Sequence, residues 1–180
     1  MEVVMSIILS IVIICIILIW YISLYNRFQE YIIRINEAEA SIDSTLRKRF
    51  DLLNKSTDII RLVIKKDDAL DCVLKLRSQK LNNFELDRKI YDAINEFNKY
   101  KEESLDLKKN EGFIKIDVAL NETEAEIVAS RKYYNDIITD YNKMIKQIPS
   151  NFIAKCCRLK IKNYFDGKNF QENGKAETKI

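Results

Sequence analysis

The chain has 0 histidines, 1 proline and 3 glycines in 180 residues. Without histidine it lacks the side chain that most often acts as a general base near neutral pH and as a metal ligand. With so few chain breakers it lacks the many turns of a sheet protein, while keeping enough for a handful of helix connections. The cysteines, Cys15, Cys72, Cys156 and Cys157, show no spaced framework for disulfides or zinc, so they read as reduced thiols in a reducing compartment. A net charge of +3 is too slight to mark a nucleic-acid surface, and none is expected as a partner.

What the chain does have is a long apolar run. From Val3 to Leu24 there is no charge, and almost every residue is Ile, Val, Leu, Met or Cys. About 20 such residues in a helix cross a hydrocarbon core of roughly 30 Å, and a helix satisfies its own backbone there. Trp20, Tyr21 and Tyr25 gather at the downstream end, where amphipathic rings favour the headgroup level. A cleaved signal peptide is the competing reading. It would have Lys or Arg before the run and small residues at a cleavage site, whereas here Glu2 precedes the run and bulky aromatics end it. Arg27 and Arg34 follow the span, so the basic-residue rule places the N-terminus outside and the bulk of the chain in the cytoplasm.

Two heptad-like stripes follow. The first comprises Ile35, Ala38, Ile42, Leu46, Phe50, Leu53, Thr57, Ile60 and Ile64. The second comprises Phe113, Ile116, Leu120, Thr123, Ile127, Ser130, Tyr134, Ile137, Tyr141, Met144 and Ile148. Steps of three and four mark long helices packed at a shallow angle, and the polar members suit a bundle better than a free dimeric coiled coil. Shorter apolar groups lie around Leu70–Leu81 and Leu86–Tyr100, with turns at Lys66–Asp68, Asn82–Asn83 and Glu102–Ser104. The expected fold is all-α: an N-terminal transmembrane helix continuing into an elongated antiparallel four-helix bundle of two long and two short helices. Residues 1–25 form the anchor, 26–166 the bundle and 167–180 a disordered polar tail.

The two long helices match in length, so the last should return Pro149 to the membrane surface. Beyond it Lys155, Arg158, Lys160 and Lys162 alternate loosely with Phe152, Ile153, Leu159 and Ile161. One reading is a lipid-facing basic segment on anionic lipid. The other is that these residues cap the open end of the bundle.

Several stretches together resemble the LemA family. They are Tyr25-Asn26, Ala40–Asp43, Leu46–Leu53, Asp106–Asn110 with Phe113, Glu126–Arg131, Tyr134-Asn135, Tyr141-Asn142, Ile148–Asn151, Ala154 and Tyr164-Phe165. The chain departs from the family at Asn54-Lys55, where a proline and an asparagine are usual, so its first helix should run straighter. Ser104-Leu105 replaces the usual tyrosine and proline. The resemblance implies a bacterial cell-membrane protein with a helical bundle. It implies no settled biochemical activity.

A candidate interhelical polar cluster comprises Arg47, Arg49, Asp51, Glu126 and Arg131, with Lys48, Glu122 and Glu124 beside it. It reads either as a site for an anionic ligand or partner, or as interhelical salt bridges with solvated faces. Tyr134-Asn135 and Tyr141-Asn142 share a helical face and read as packing, with the asparagines hydrogen-bonding a neighbouring helix. No pocket motif or glycine loop is legible, so no enzyme, catalytic residue, cofactor or metal is expected. The preferred function is a membrane-tethered interaction or scaffold protein, binding an unknown protein or itself. The alternative is a lipid-surface sensor acting through the basic segment.

Overall fold

The computed structural model describes residues 1–76 and 81–165; the expected polar tail, 167–180, lies outside them. Among these residues every regular element is a helix, as the composition requires. In order they are α1 (Glu2–Ile64), α2 (Asp71–Leu76), α3 (Asn83–Glu103), α4 (Leu105–Lys109), α5 (Glu111–Lys146) and α6 (Ser150–Cys156).

Helix α1 runs without a break from the apolar run into the first stripe, because no Gly or Pro interrupts it. It ends where Lys65 takes a left-handed conformation (φ 59°), and Arg61 then spans the turn, donating to the Ala69 carbonyl (3.1 Å) and Asp71 (2.5 Å). Of the helix expected over Leu70–Leu81, the described residues form α2 (Asp71–Leu76), and residues 77–80 lie outside the described residues. Helix α3 starts on a capping box. Asn82 accepts from the Glu85 amide at 2.8 Å, and the Glu85 carboxylate accepts from the Asn82 amide.

The expected last helix is divided. Ser104 closes α3 and caps α4, its Oγ accepting from the Leu107 amide; Asn110 closes α4, and its Oδ1 accepts from the Phe113 amide at 3.0 Å to start α5. Short polar side chains that satisfy backbone groups locally break a helix in this way. A Cβ on Gly112 would meet Ile59 Cδ1 at 3.2 Å, so glycine lets the start of α5 approach α1 closely.

The chain forms two compact units, with boundaries inside α1 after Glu37 and inside α5 before Tyr134. In the unit built on residues 38–133, α1 and α5 run antiparallel. Ser41 meets Ser130 (3.2 Å), Lys48 meets Glu126 (3.2 Å) and Arg49 meets Glu124 (2.6 Å). Asp87 with Arg131, and Lys101 with Asp117 (2.7 Å), set α3 antiparallel to α5 as well. Its core holds Ile42, Leu46, Leu53, Ile60, Ile90, Phe97, Leu107, Phe113 and Ile127.

The first stripe is broader than its heptad pattern. Thr45, Arg49 and Ser56 are buried beside Leu46 and Leu53, while Phe50 is only half-buried. Here α1 is faced by both α3 and α5, and two neighbours bury a wider arc than one seam does. The second stripe is buried or half-buried from Phe113 through Met144. Ile148 lies beyond α5 and is 80% exposed.

The other unit pairs residues 1–37 with 134–164. Phe28, absent from the predicted stripe, is fully buried and meets the Tyr141 ring edge-on at 6.2 Å. Ser150 donates to the Met144 (2.6 Å) and Gln147 (3.0 Å) carbonyls, taking up acceptors that α5 leaves free at its end.

Candidate functional site

The predicted polar cluster divides into separate arrangements. Arg47 turns along its own helix to Asp43 (2.7 Å) and is largely exposed, and Asp51 is exposed too. Lys48, rather than Arg47, reaches Glu126. Arg49 is buried, its side chain 3% exposed, and donates through Nη2 to Glu124 Oε2 at 2.6 Å. Its Nε and Nη1 are buried with no hydrogen-bond partner among the described residues. Arg131 pairs with Asp87 of α3, a residue absent from the predicted cluster. Arg49, Glu124, Arg131 and Asp87 thus link α1, α5 and α3 with two charges of each sign.

Burial raises the Asp87 carboxyl above its ordinary 3.8, outweighing the opposing pull of Arg131 and, more weakly, of Arg49; Glu124 adds to the rise. The folded state therefore takes up this proton first as pH falls. The group's contribution to stability improves as pH drops through the folded value and levels off below 3.8. Replacing Asp87 by Asn should remove that gain. The unfolding free energy of the wild type minus that of the variant should become more positive from about pH 6 to pH 3. A difference that instead falls as acid is added would give the opposite sign and defeat the assignment.

A cavity of about 210 Å³ lies beside Arg49, with Tyr91, Asn95, Asn98 and Asn121 on its walls. A second group, not foreseen, surrounds Glu96. Its carboxylate accepts from the Leu70 amide (3.2 Å), Tyr100 Oη (3.1 Å) and Cys72 Sγ (3.4 Å). Burial first, then Glu96, push the Cys72 thiol up to about 11. These contacts join α3 to the turn after α1, so they are structural. A single acid on α3 that reaches back to the turn after α1 gives no periodic signal by which to find it.

The other candidate region lies where the apolar run ends. Residues 1–23 are exposed throughout, including Ile7, Leu9, Ile13 and Ile19, so among the described residues no side chain of this stretch of α1 is buried. It is the one candidate among the described residues that is long and apolar enough to cross a membrane. The chain returns to it from α5. Trp20 and Leu24 share a cavity of about 360 Å³ with Met144, Ile148 and Pro149, and Arg27, Asp140 and Lys143 also line it. Cys157 Sγ, just after α6, lies 4.0 Å from Tyr21 Oη.

The basic segment is divided between α6 and the irregular stretch that follows it. Lys155 lies in α6 with its side chain exposed, and Arg158 ends that helix in a left-handed conformation (φ 53°). Lys160 is exposed. Lys162 is half-buried and held along α5: its backbone amide donates to Asn142 Oδ1 (2.9 Å) and its carbonyl accepts from Asn142 Nδ2 (2.7 Å). Tyr134 donates to the Asn163 carbonyl (3.4 Å), and Thr139 meets Tyr164 Oη at 3.0 Å. On the Tyr-Asn face of α5, Tyr141 packs Phe28 of α1 as expected, while Asn142 bonds the irregular backbone of the C-terminal segment rather than the neighbouring helix expected.

No curated protein matches the chain. Residues 38–179 match the LemA family, a span that takes in α2 to α6, the Arg49 and Glu96 groups and most of the first stripe. The chain therefore belongs to the LemA family.

Proposed function

We propose that this is a single-pass membrane protein that works by binding, with α1 as its anchor and the α6 end lying on the membrane surface. The observation that carries the reading is the approach of Cys157 to Tyr21, at the aromatic end of an apolar helix segment that is exposed throughout. Phe152 (66% exposed), Ile148 and Ile161 accompany Lys155, Arg158 and Lys160 there. Apolar side chains entering the interface beside basic ones are the composition that anionic lipid attracts, each cation contributing about 1 kcal/mol. Arg27 and Arg34 favour a cytoplasmic helical domain in a bacterial cell membrane, and the four free thiols fit that compartment.

Cys156 is exposed and tests both points. In a variant keeping only this cysteine, a spin label in phosphatidylglycerol vesicles should be accessible to oxygen and shielded from a water-soluble nickel reagent. Shielding equal to that of a label in free solution would end the surface reading. In intact cells an impermeant maleimide should reach Cys156 only after permeabilisation; labelling before it would reverse the topology. Cys72 is the poorer probe, since a thiol held up to about 11 provides little thiolate.

A protein-interaction role is favoured by a separate surface. Ile114, Val118 and Val128 lie on one face of α5 and are 43%, 51% and 53% exposed. A photo-crosslinker at Val118 should give discrete protein adducts in cells, whereas one at Lys115 should not. Equal yields at both positions would count against this face.

A further inference from the structure

The cavity at the end of the apolar run carries its charged residues, Arg27, Asp140 and Lys143, toward one end, while Trp20, Leu24 and Ile148 lie toward the other with the uncharged Gln147 and Ser150. Along α1 its lining passes from Trp20 and Leu24 to Arg27, a rise of about 10 Å. Lys143 and Asp140 stand opposite on α5, and Ile148 closes the Trp20 end. Neither Arg27 nor Lys143 forms an ion pair among the described residues, nor does Asp140. Two cations and one carboxylate leave one net positive charge.

We propose that this cavity binds one anionic phospholipid, its phosphodiester held between Arg27 and Lys143 and its glycerol and first acyl carbons over Trp20, Leu24 and Ile148. The inference rests on the membrane reading above. A headgroup with a single negative charge balances the site, and its polarity changes along the same direction as the cavity's. Trp20 sets the depth, since a tryptophan at the end of a span occupies the headgroup level next to the phosphates. Arginine and lysine supply charge-assisted hydrogen bonds to phosphate oxygens. A phosphate ester free in solution presents the same oxygens, but it would leave the Trp20–Leu24 end unfilled.

The test is native mass spectrometry of the full chain released from detergent, titrated with phosphatidylglycerol, phosphatidylcholine or glycerol 3-phosphate. The wild type should retain one phosphatidylglycerol in preference to phosphatidylcholine, and should not retain glycerol 3-phosphate. R27Q/K143Q should weaken that binding by about tenfold or more, the loss expected from removing charge-assisted contacts. K99Q/K115Q, on exposed positions of α3 and α5 away from the cavity, should leave it unchanged. Unaltered helicity of R27Q/K143Q by circular dichroism would show that the loss is local.

Equal retention of the two lipids, equal binding by R27Q/K143Q and wild type, or an equal loss in K99Q/K115Q would overturn the site. Glycerol 3-phosphate binding with the same dependence on Arg27 and Lys143 would overturn the lipid assignment. Alkaline extraction of native membranes separates this failure from failure of the anchor: a protein that stays in the pellet keeps the membrane reading whatever the titration shows.

Discussion

Phe97→Ala should destabilise the 38–133 unit by about 3–5 kcal/mol, the largest effect expected from one truncation in that unit. Phe97 and Phe113 are each 1% exposed, and their rings stack at 4.6 Å with 13° between planes. The stack joins α3 to the first turn of α5, just after the glycine that lets α5 approach Ile59. Removing one ring loses its transfer free energy and leaves a void lined by the other, in a place where three helices limit collapse. Phe97→Leu should recover most of the loss. Tyr91→Ala, on the same helix but 58% exposed, should change stability by less than about 0.5 kcal/mol. Denaturant unfolding of the full chain in nanodiscs, followed by circular dichroism, measures all three. A Phe97→Ala loss no larger than that of Tyr91→Ala would show that the stack does not hold the unit together.

Asn142→Ala should free the 159–164 segment from α5. Asn142 is fully buried and bonds both the amide and the carbonyl of Lys162, so alanine removes two hydrogen bonds and leaves the partners in a partly buried place. At about 0.5–1.5 kcal/mol per bond, plus the penalty for unpaired buried groups, the local loss is about 2–4 kcal/mol. Hydrogen exchange reads it directly. Amide protection at Lys162 should fall by about thirtyfold or more while that at Phe97 is unchanged. Asn142→Asp retains the acceptor for the Lys162 amide and loses the donor, so its effect should be intermediate. Protection unchanged in both variants would mean that Tyr134 and Thr139 hold the segment without it.

These two residues stand at opposite ends of what the sequence makes legible. Phe97 falls within the apolar group of Leu86–Tyr100 and Phe113 opens a heptad stripe, because a repeat of three and four reports which side of a helix is apolar. The same repeat placed Asn142 only beside a core tyrosine. What it grips is 20 residues further on, in a segment with no period of its own. Arg49 illustrates the same limit. It was counted among the charged residues of the first helix, yet it is buried because α3 and α5 both cover that side of α1. Its acid is Glu124 rather than Glu126, and Asp87 enters through α3. The break at Asn110 is different in kind. The residue type that makes it was visible, but a long apolar stripe continued past it and masked the local cap.

The chain's own order of residues was enough to determine an all-helical protein, the apolar run from Val3 to Leu24 and its unbroken passage into α1, the buried sides of the long helices, and membership of the LemA family. These follow from local composition and spacing. Only the tertiary structure decided which charges are buried, which carboxylate meets which cation, that Cys157 comes back to Tyr21, and that Arg27 and Lys143 line a cavity with Trp20. Each of those depends on the register between segments far apart in the chain. Register is set by how whole helical faces interlock, and polar side chains that meet across it leave no local pattern.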